Sequence, residues 1–250
     1  MKRIKRQKLP QATSQYLLKR QREADKKLLD STLDTNADWK LARQTKNMAK
    51  VLTVLHAMAD VRQRCMYCLD SHGSDIEHFR PKTNYPKRMY QWSNLLLCCA
   101  HCGRLKGNQF PTSGRRALFV DPTKENPWHY LDFNPETGNI CARFDVHLNR
   151  WSDKGEKTVE VLQLDRREAL SAGYLKTLNR LSDIVANALA TGLIDVDQLT
   201  KQLTVGDDHG LLEWCFSDRS HVLKPFRDLL NQQPDVWIHC AKALKAWQQA

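Results

Sequence analysis

The stretch that decides the fold runs Cys65-Met66-Tyr67-Cys68, Asp75-Ile76-Glu77-His78-Phe79-Arg80-Pro81, then Trp92-Ser93-Asn94-Leu95-Leu96-Leu97-Cys98-Cys99-Ala100-His101-Cys102. Two residues between cysteines let one tight turn aim two thiolates at a single ion, and two such pairs complete a closed tetrahedral sulfur site. Cys65, Cys68, Cys99 and Cys102 are therefore the expected ligands of one structural Zn²⁺. The competing reading is two unrelated pairs of buried thiols. Thirty residues separate Cys68 from Cys99, room for a strand pair and a loop, so the ion would staple the base of an inserted element. Cys98 offers a second register, but the CxxC spacing of the first pair selects Cys99. Cys98 then reads as a small buried hydrophobe, as do the isolated Cys141, Cys215 and Cys240.

Between the pairs, Asp75 to Phe79 alternates as a strand does and ends at Arg80-Pro81, where a proline suits a strand end. A carboxylate beside an imidazole offers a hard oxygen ligand next to a base. Neighbours on a strand point to opposite faces, so Glu77 and His78 share one site only at a strand end or a bulge. A polar loop follows. Its Arg80, Lys82, Lys87 and Arg88 suit backbone phosphates, and Tyr85, Tyr90 and Trp92 suit stacking on unpaired bases. Core packing competes with stacking for Trp92. The second pair opens a short basic helix with Arg104 and Lys106, and Lys106 lies one turn beyond Gly103, placed for a phosphate. Read singly, each of these cations is equally a solvated side chain.

Outward from this stretch, 250 residues, 41% hydrophobic and 27% charged, suffice for one large domain or two small ones. No apolar run approaches a membrane span, and the basic N-terminus lacks the apolar centre of a secretory signal. A cytoplasmic, reducing location is expected, which favours a metal over disulfides for the clustered cysteines. The net charge of +11 is uneven: +9 over residues 1–50, +6 over 51–116 and −4 over 117–250. Such a front suggests a polyanionic partner, against the plainer reading of a solvated basic tail.

Three segments follow: a basic N-terminal helical arm at 1–63, a compact core at 64–116, and a mixed, then helical region at 117–250 whose acidic balance suits docking a protein partner. The fold class is α+β, mainly helical. Residues 1–10 read as disordered, and 13–29 as helix. A second helix is expected from Asp34–Asn36 to about Gln63. Leu41, Met48, Val51, Leu52, Leu55, Met58 and Ala59 form its apolar face, and Lys40, Arg43, Lys46 and Lys50 its polar one. ALFVDP (117–122) and a hairpin turning at Asn134–Gly138 read as strands. Helices are expected from an Asp165 N-cap to near Gly192, and at about 195–204, 218–231 and 235–248, with Trp151, Trp214, Trp237 and Trp247 in their core.

Taken together, CMYC, DIEHFRPK, WSNLLLCCAHC and KGNQFP resemble the HNH endonucleases, whose ββα-metal fold would cover about residues 65–111. The closer resemblance is to the PtuB-like nuclease subunits of retron and Septu antiphage systems. It rests on EHFRPK (77–82), Trp92-Ser93-Asn94-Leu95, Lys106-Gly107-Asn108-Gln109-Phe110-Pro111 and TVEVLQLDRREAL (158–170). The resemblance implies that His78 is the general base that activates water, Glu77 the acidic ligand of a catalytic divalent cation, and Asn94 a loop-orienting and base-positioning group. Mg²⁺ is the default ion for an oxygen-rich site. The pattern departs at Gly103, where relatives carry the His or Asn that completes the metal site. Three readings stand there: His101 or Asn108 takes the place, a water fills it, or the enzyme is impaired.

The resemblance also implies partners: a PtuA-like ATPase, and in retrons a reverse transcriptase with its RNA–DNA product. The implied substrate is DNA or a structured RNA such as tRNA. The alternative is a zinc-stapled, non-catalytic nucleic-acid-binding or scaffold subunit of the same kind of complex. The acidic–His strand with Asn94 favours the nuclease, because a binding module needs neither; Gly103 favours the alternative.

Overall fold

Three helices lead into the cysteine pairs: α1 (Gln11–Leu29), α2 (Thr35–Arg43) and α3 (Lys46–Met58). The computed structural model describes residues 1–59, 61–219 and 223–249, with side chains as far as Leu244. The single helix expected to reach Gln63 breaks at Gln44–Thr45. The Thr45 hydroxyl accepts from the Met48 N–H at 3.3 Å and so caps a new helix, a role threonine fills better than a helix interior. The break swings Asp38 and Trp39 into the core and leaves Leu41, expected inside, 66% exposed.

Residues 1–10, expected to be disordered, form an ordered strap. Met1 and Ile4 are buried, and the Ile4 N–H donates to the Pro122 carbonyl at 2.8 Å. Arg6 donates to the carbonyls of Trp92 (2.8 Å) and Leu95 (3.0 Å) and to Thr123 Oγ1 (2.8 Å). The Trp92 indole N–H in turn donates to the Gln7 carbonyl. A charge count overlooks such a segment, because two apolar anchors and one guanidinium hold it. Arg6→Ala removes a charged donor from two carbonyls and a hydroxyl at once and is expected to cost about 2–3 kcal/mol in urea unfolding.

The centre is a strand–strand–helix unit. β1 (Asp75–His78) pairs antiparallel with β2 (Leu95–Cys98), with Glu77 opposite Leu96 and His78 opposite Leu95. The loop between them carries two 3₁₀ turns, Pro86–Arg88 and Trp92–Asn94, and β2 runs into α4 (Ala100–Lys106). Gly73, just before β1, permits a close approach: a Cβ there would stand 2.3 Å from Leu97 Cγ.

Small hairpins follow. β3 (Thr112–Ser113) pairs with β4 (Arg116–Ala117), β5 (Leu131–Phe133) with β6 (Ile140–Ala142), and β7 (Phe144–Asp145) with β8 (Arg150–Trp151). The turn expected at Asn134–Gly138 is present; Asn134 Oδ1 accepts from the Glu136 and Thr137 N–H groups, and Gly138 takes φ +76°. The ALFVDP strand stops at Ala117, and Phe119 and Val120 are fully buried as irregular chain. Trp151, expected in the core, is 50% exposed, because the two-residue β8 lies on an outer hairpin.

The remainder is helical: α5 (Asp153–Leu162), α6 (Glu168–Thr191), α7 (Val196–Gly206), α8 (Leu212–Cys215), α9 (Phe226–Gln232) and α10 (Pro234–Gln249). α6 starts three residues after the expected Asp165 cap, at Glu168, and ends as expected at Gly192 with φ +73°. The helix expected at 218–231 begins at Phe226, and residues 220–222 of that expectation lie outside the described ones. Trp214 and Trp237 are buried as expected; the Trp247 side chain lies outside the description. The molecule is α+β with helix dominant, and one continuous apolar cluster joins residues from Met1 to Leu244 across all three segments. Among the described residues no helix is long and apolar enough to cross a membrane.

Candidate metal centre and adjacent cleft

Cys65 and Cys68 lie in the turns before β1. Cys99 caps α4 by accepting from the Cys102 N–H, which brings Cys102 back over it. The four sulfurs are buried and lie within 4.8 Å of one another. A tetrahedral zinc with bonds of about 2.3 Å needs sulfurs about 3.8 Å apart, and Cys68 Sγ stands 3.9 Å from Cys99 Sγ. The donor set therefore suits a metal such as zinc. Cys98, which the spacing set aside, is buried beside the cluster with its thiol donating to the Cys99 carbonyl. Burial pushes the Cys65 thiol well up, so a thiolate there needs a cation beside it. Two contacts escape a sequence reading: Arg167 Nη1 donates to Cys102 Sγ at 3.3 Å, and the Tyr174 hydroxyl to the Cys68 carbonyl at 3.2 Å. Both come from α6 and its cap, 65 and 106 residues along the chain from their partners.

Beside the cluster, the end of β1, the loop after it, α2 and α4 enclose a cleft of about 400 Å³. All four residues of β1 line it, Glu77 and His78 among them. His78 is 5% exposed, and the Trp39 ring meets it edge-on at 4.2 Å between centroids. Its Nε2 lies 3.0 Å from the Met89 carbonyl. A carbonyl only accepts, so Nε2 carries the proton and Nδ1 keeps its lone pair. Burial, followed by the charge of Lys82, pushes the imidazole down to about 3, so His78 is neutral at physiological pH.

Lys106 departs from its expected role. Its side chain is 0% exposed, and its ammonium donates to Glu77 Oε1 at 2.9 Å and to the His78 carbonyl at 2.7 Å. Lys106 and Cys102, four residues apart, share the inward face of α4. It therefore faces β1 and not a phosphate in solution.

Asn94 is buried and uses its amide wholly on the backbone. Oδ1 accepts from the Arg80 N–H (2.8 Å), and Nδ2 donates to the carbonyls of Arg80 (3.0 Å) and Arg88 (2.9 Å). It does not line the cleft, so the geometry makes it a positioning residue for the loop rather than a group that touches substrate. Asn94→Ala leaves three backbone groups without this partner and is expected to cost about 2–4 kcal/mol, read as a drop in the urea midpoint.

Of the remaining sequence-derived residues, Lys82, Arg104 and Asn108 line the cleft, joined by Arg43, which pairs with Asp75 at 2.8 Å. Asn108 Oδ1 accepts from Thr83 Oγ1 at 3.1 Å. His101 is exposed near Arg167 and Arg104 and does not line the cleft, so it does not replace the ligand absent at Gly103. Lys87 and Arg88 are exposed on the loop, while the Arg80 guanidinium lies 4.8 Å over Phe110 and 5.2 Å over Tyr85. Tyr90 is 1% exposed and bonded to Asp38 and Arg20, which removes it as a stacking surface. Trp92 is held by Arg6 and Gln7. Trp39 was missed by sequence reasoning: it lies 39 residues from His78, and only an aromatic on the helix hinted at it.

A second metal ion fits this cleft poorly. Among the described residues, no other group of three His, Cys, Asp or Glu side chains brings its ligand atoms together. Gly103 supplies no donor, and one Glu77 oxygen is engaged by Lys106.

No family model matches the chain. It is 29% identical over 136 residues to Septu protein PtuB of Bacillus thuringiensis, covering 50% of this chain and 48% of that protein. It is 28% identical over 209 residues to Septu protein PtuB of Bacillus mycoides, covering 68% of each. A third similarity, 27% over 133 residues, is to Septu protein PtuA of Bacillus mycoides and covers 41% of this chain and 18% of that protein. The chain thus spans about half the length of the first relative and about two thirds of the second.

Proposed function

We propose that this chain is an HNH-type nuclease subunit of a Septu-like antiphage system, cutting phosphodiester bonds in DNA or structured RNA. The observation that carries the reading is the pair at the end of β1: a neutral His78 with its tautomer set by the Met89 carbonyl, and Glu77 beside it in one cleft. The similarity to two Septu proteins PtuB supports the system assignment. A PtuA-like ATPase is then the natural partner, with a reverse transcriptase and its RNA–DNA product taking part in a retron arrangement. The cytoplasm is the working compartment.

Arg43, Lys82 and Arg104 draw a backbone phosphate into the cleft. The Nδ1 lone pair of His78 accepts a proton from water, which attacks phosphorus in line with the leaving oxygen. The P–O bond to the leaving oxygen breaks, that oxygen takes a proton from solvent, and the protonated imidazole gives its own proton back to solvent, which restores the base. The resemblance implies a divalent cation to offset charge on the leaving oxygen, whereas Gly103 supplies no donor and Glu77 is engaged by Lys106, so the cleft lacks the ligands to hold one. The Cys65–Cys102 staple holds the two strands and α4 together and takes no part in the chemistry.

The test is to sequence nucleic-acid ends after inducing the wild type and His78→Ala, each together with a PtuA-like ATPase. New DNA breaks or defined RNA ends in the wild type alone are expected and identify the substrate class. Equal ends in both strains would leave the non-catalytic binding subunit, the reading that Gly103 favours.

A further inference from the structure

Resting on the nuclease reading of the cleft, we propose that the Lys106 ammonium and a divalent cation compete for Glu77, so that the free protein keeps its cleft clear of metal. Glu77 is the carboxylate a cation needs, and its Oε1 already accepts from Lys106 Nζ at 2.9 Å. That ammonium is anchored by a second bond, 2.7 Å to the His78 carbonyl, and its side chain is 0% exposed against 19% for Glu77. The other carboxylate on the cleft, Asp75, is paired with Arg43 at 2.8 Å. Arg43, Lys82 and Arg104 line the cleft with Lys106 behind Glu77, against Asp75, Glu77 and the Cys99 sulfur, and both carboxylates are already paired with a cation of the chain. A carboxylate with an ammonium in contact has little attraction left for a second cation.

Steric crowding is not what keeps a metal out. A Cβ at Gly103 would stand 3.7 Å from Glu77 Oε2 and 3.8 Å from Cys98 Sγ, ordinary contacts that leave the second oxygen approachable from that side.

The test titrates Mn²⁺ into the full-length, zinc-loaded protein without nucleic acid and follows free Mn²⁺ by electron paramagnetic resonance. The wild type is expected to bind weakly. Lys106→Met, which keeps the apolar stem and removes the charge, is expected to bind on the order of tenfold more tightly or better. Adding Glu77→Gln to Lys106→Met returns the affinity to the wild-type level. Gly103→Asn, which supplies a ligand but keeps the competing ammonium, stays as weak as the wild type. If Lys106→Met loses its zinc or its melting transition, Lys106→Gln takes its place with the same gain expected. Tight binding by the wild type, tight binding by Gly103→Asn alone, or no gain in folded Lys106→Met overturns the proposal. None of these outcomes bears on cleavage itself, which stands or falls with His78.

Discussion

Removing the zinc expected at Cys65, Cys68, Cys99 and Cys102 is expected to loosen the central unit and to lower the melting midpoint of the whole molecule. The purified protein is expected to carry one zinc per chain. A strong chelator, or Cys68→Ser, removes it and leaves buried thiols with no cation among them. The cluster joins the turns before β1 to the first turn of α4, and α6 leans on it through Arg167 and Tyr174. Its loss therefore uncouples elements more than 100 residues apart in sequence. Structural zinc sites contribute on the order of 10 kcal/mol of apparent binding, so a net loss of about 5 kcal/mol or more is a conservative expectation. At about 2–4 °C per kcal/mol for a chain of this size, the melting midpoint falls by about 10–20 °C. Calorimetry with and without chelator reads it, alongside metal analysis. Cys141→Ser, which changes a half-buried thiol outside the cluster, serves as control and keeps both zinc and midpoint. Superimposed transitions with and without chelator would show the four cysteines to be separate pairs of thiols.

Replacing His78 is expected to have the larger effect on activity. Loss of a positioned base costs about 10²–10⁴-fold in rate, equivalent to about 3–5 kcal/mol of barrier. His78→Ala and His78→Gln both lose the Nδ1 lone pair, whereas Arg43, Lys82 and Arg104 remain, so nucleic-acid affinity in a gel-shift titration changes little. That split between cleavage and binding separates a base from a residue that merely holds the cleft together. The pH profile supplies a second mark. Burial and then Lys82 hold the imidazole down at about 3, so kcat/KM is expected to persist well below pH 6.5. An acid limb at the ordinary histidine value would mean that His78 is more hydrated during turnover than its place under Trp39 allows.

The local parts of the fold are legible in the chain. Spacing picked Cys99 over Cys98, because two intervening residues set the reach of a knuckle. Alternation placed Glu77 and His78 on one short strand, and the Asn134–Gly138 turn and the Gly192 helix end followed from residue types with few other uses. These features depend on neighbours in the chain, so the chain displays them.

Where the charges lie is set by long-range packing. Lys106 and Arg104 read alike as basic residues of one helix, yet one is sealed against Glu77 and the other lines the cleft. Asn94 proved to be a backbone clasp, His101 faced away from the cleft, and the first ten residues became a strap. Asn94, Lys106 and Arg6 each bond a partner 14, 29 and 117 residues away, and the free energy of a buried polar group is set by such partners. Residue type says which bonds a side chain can make. Which of them it makes depends on what the fold brings within 3 Å.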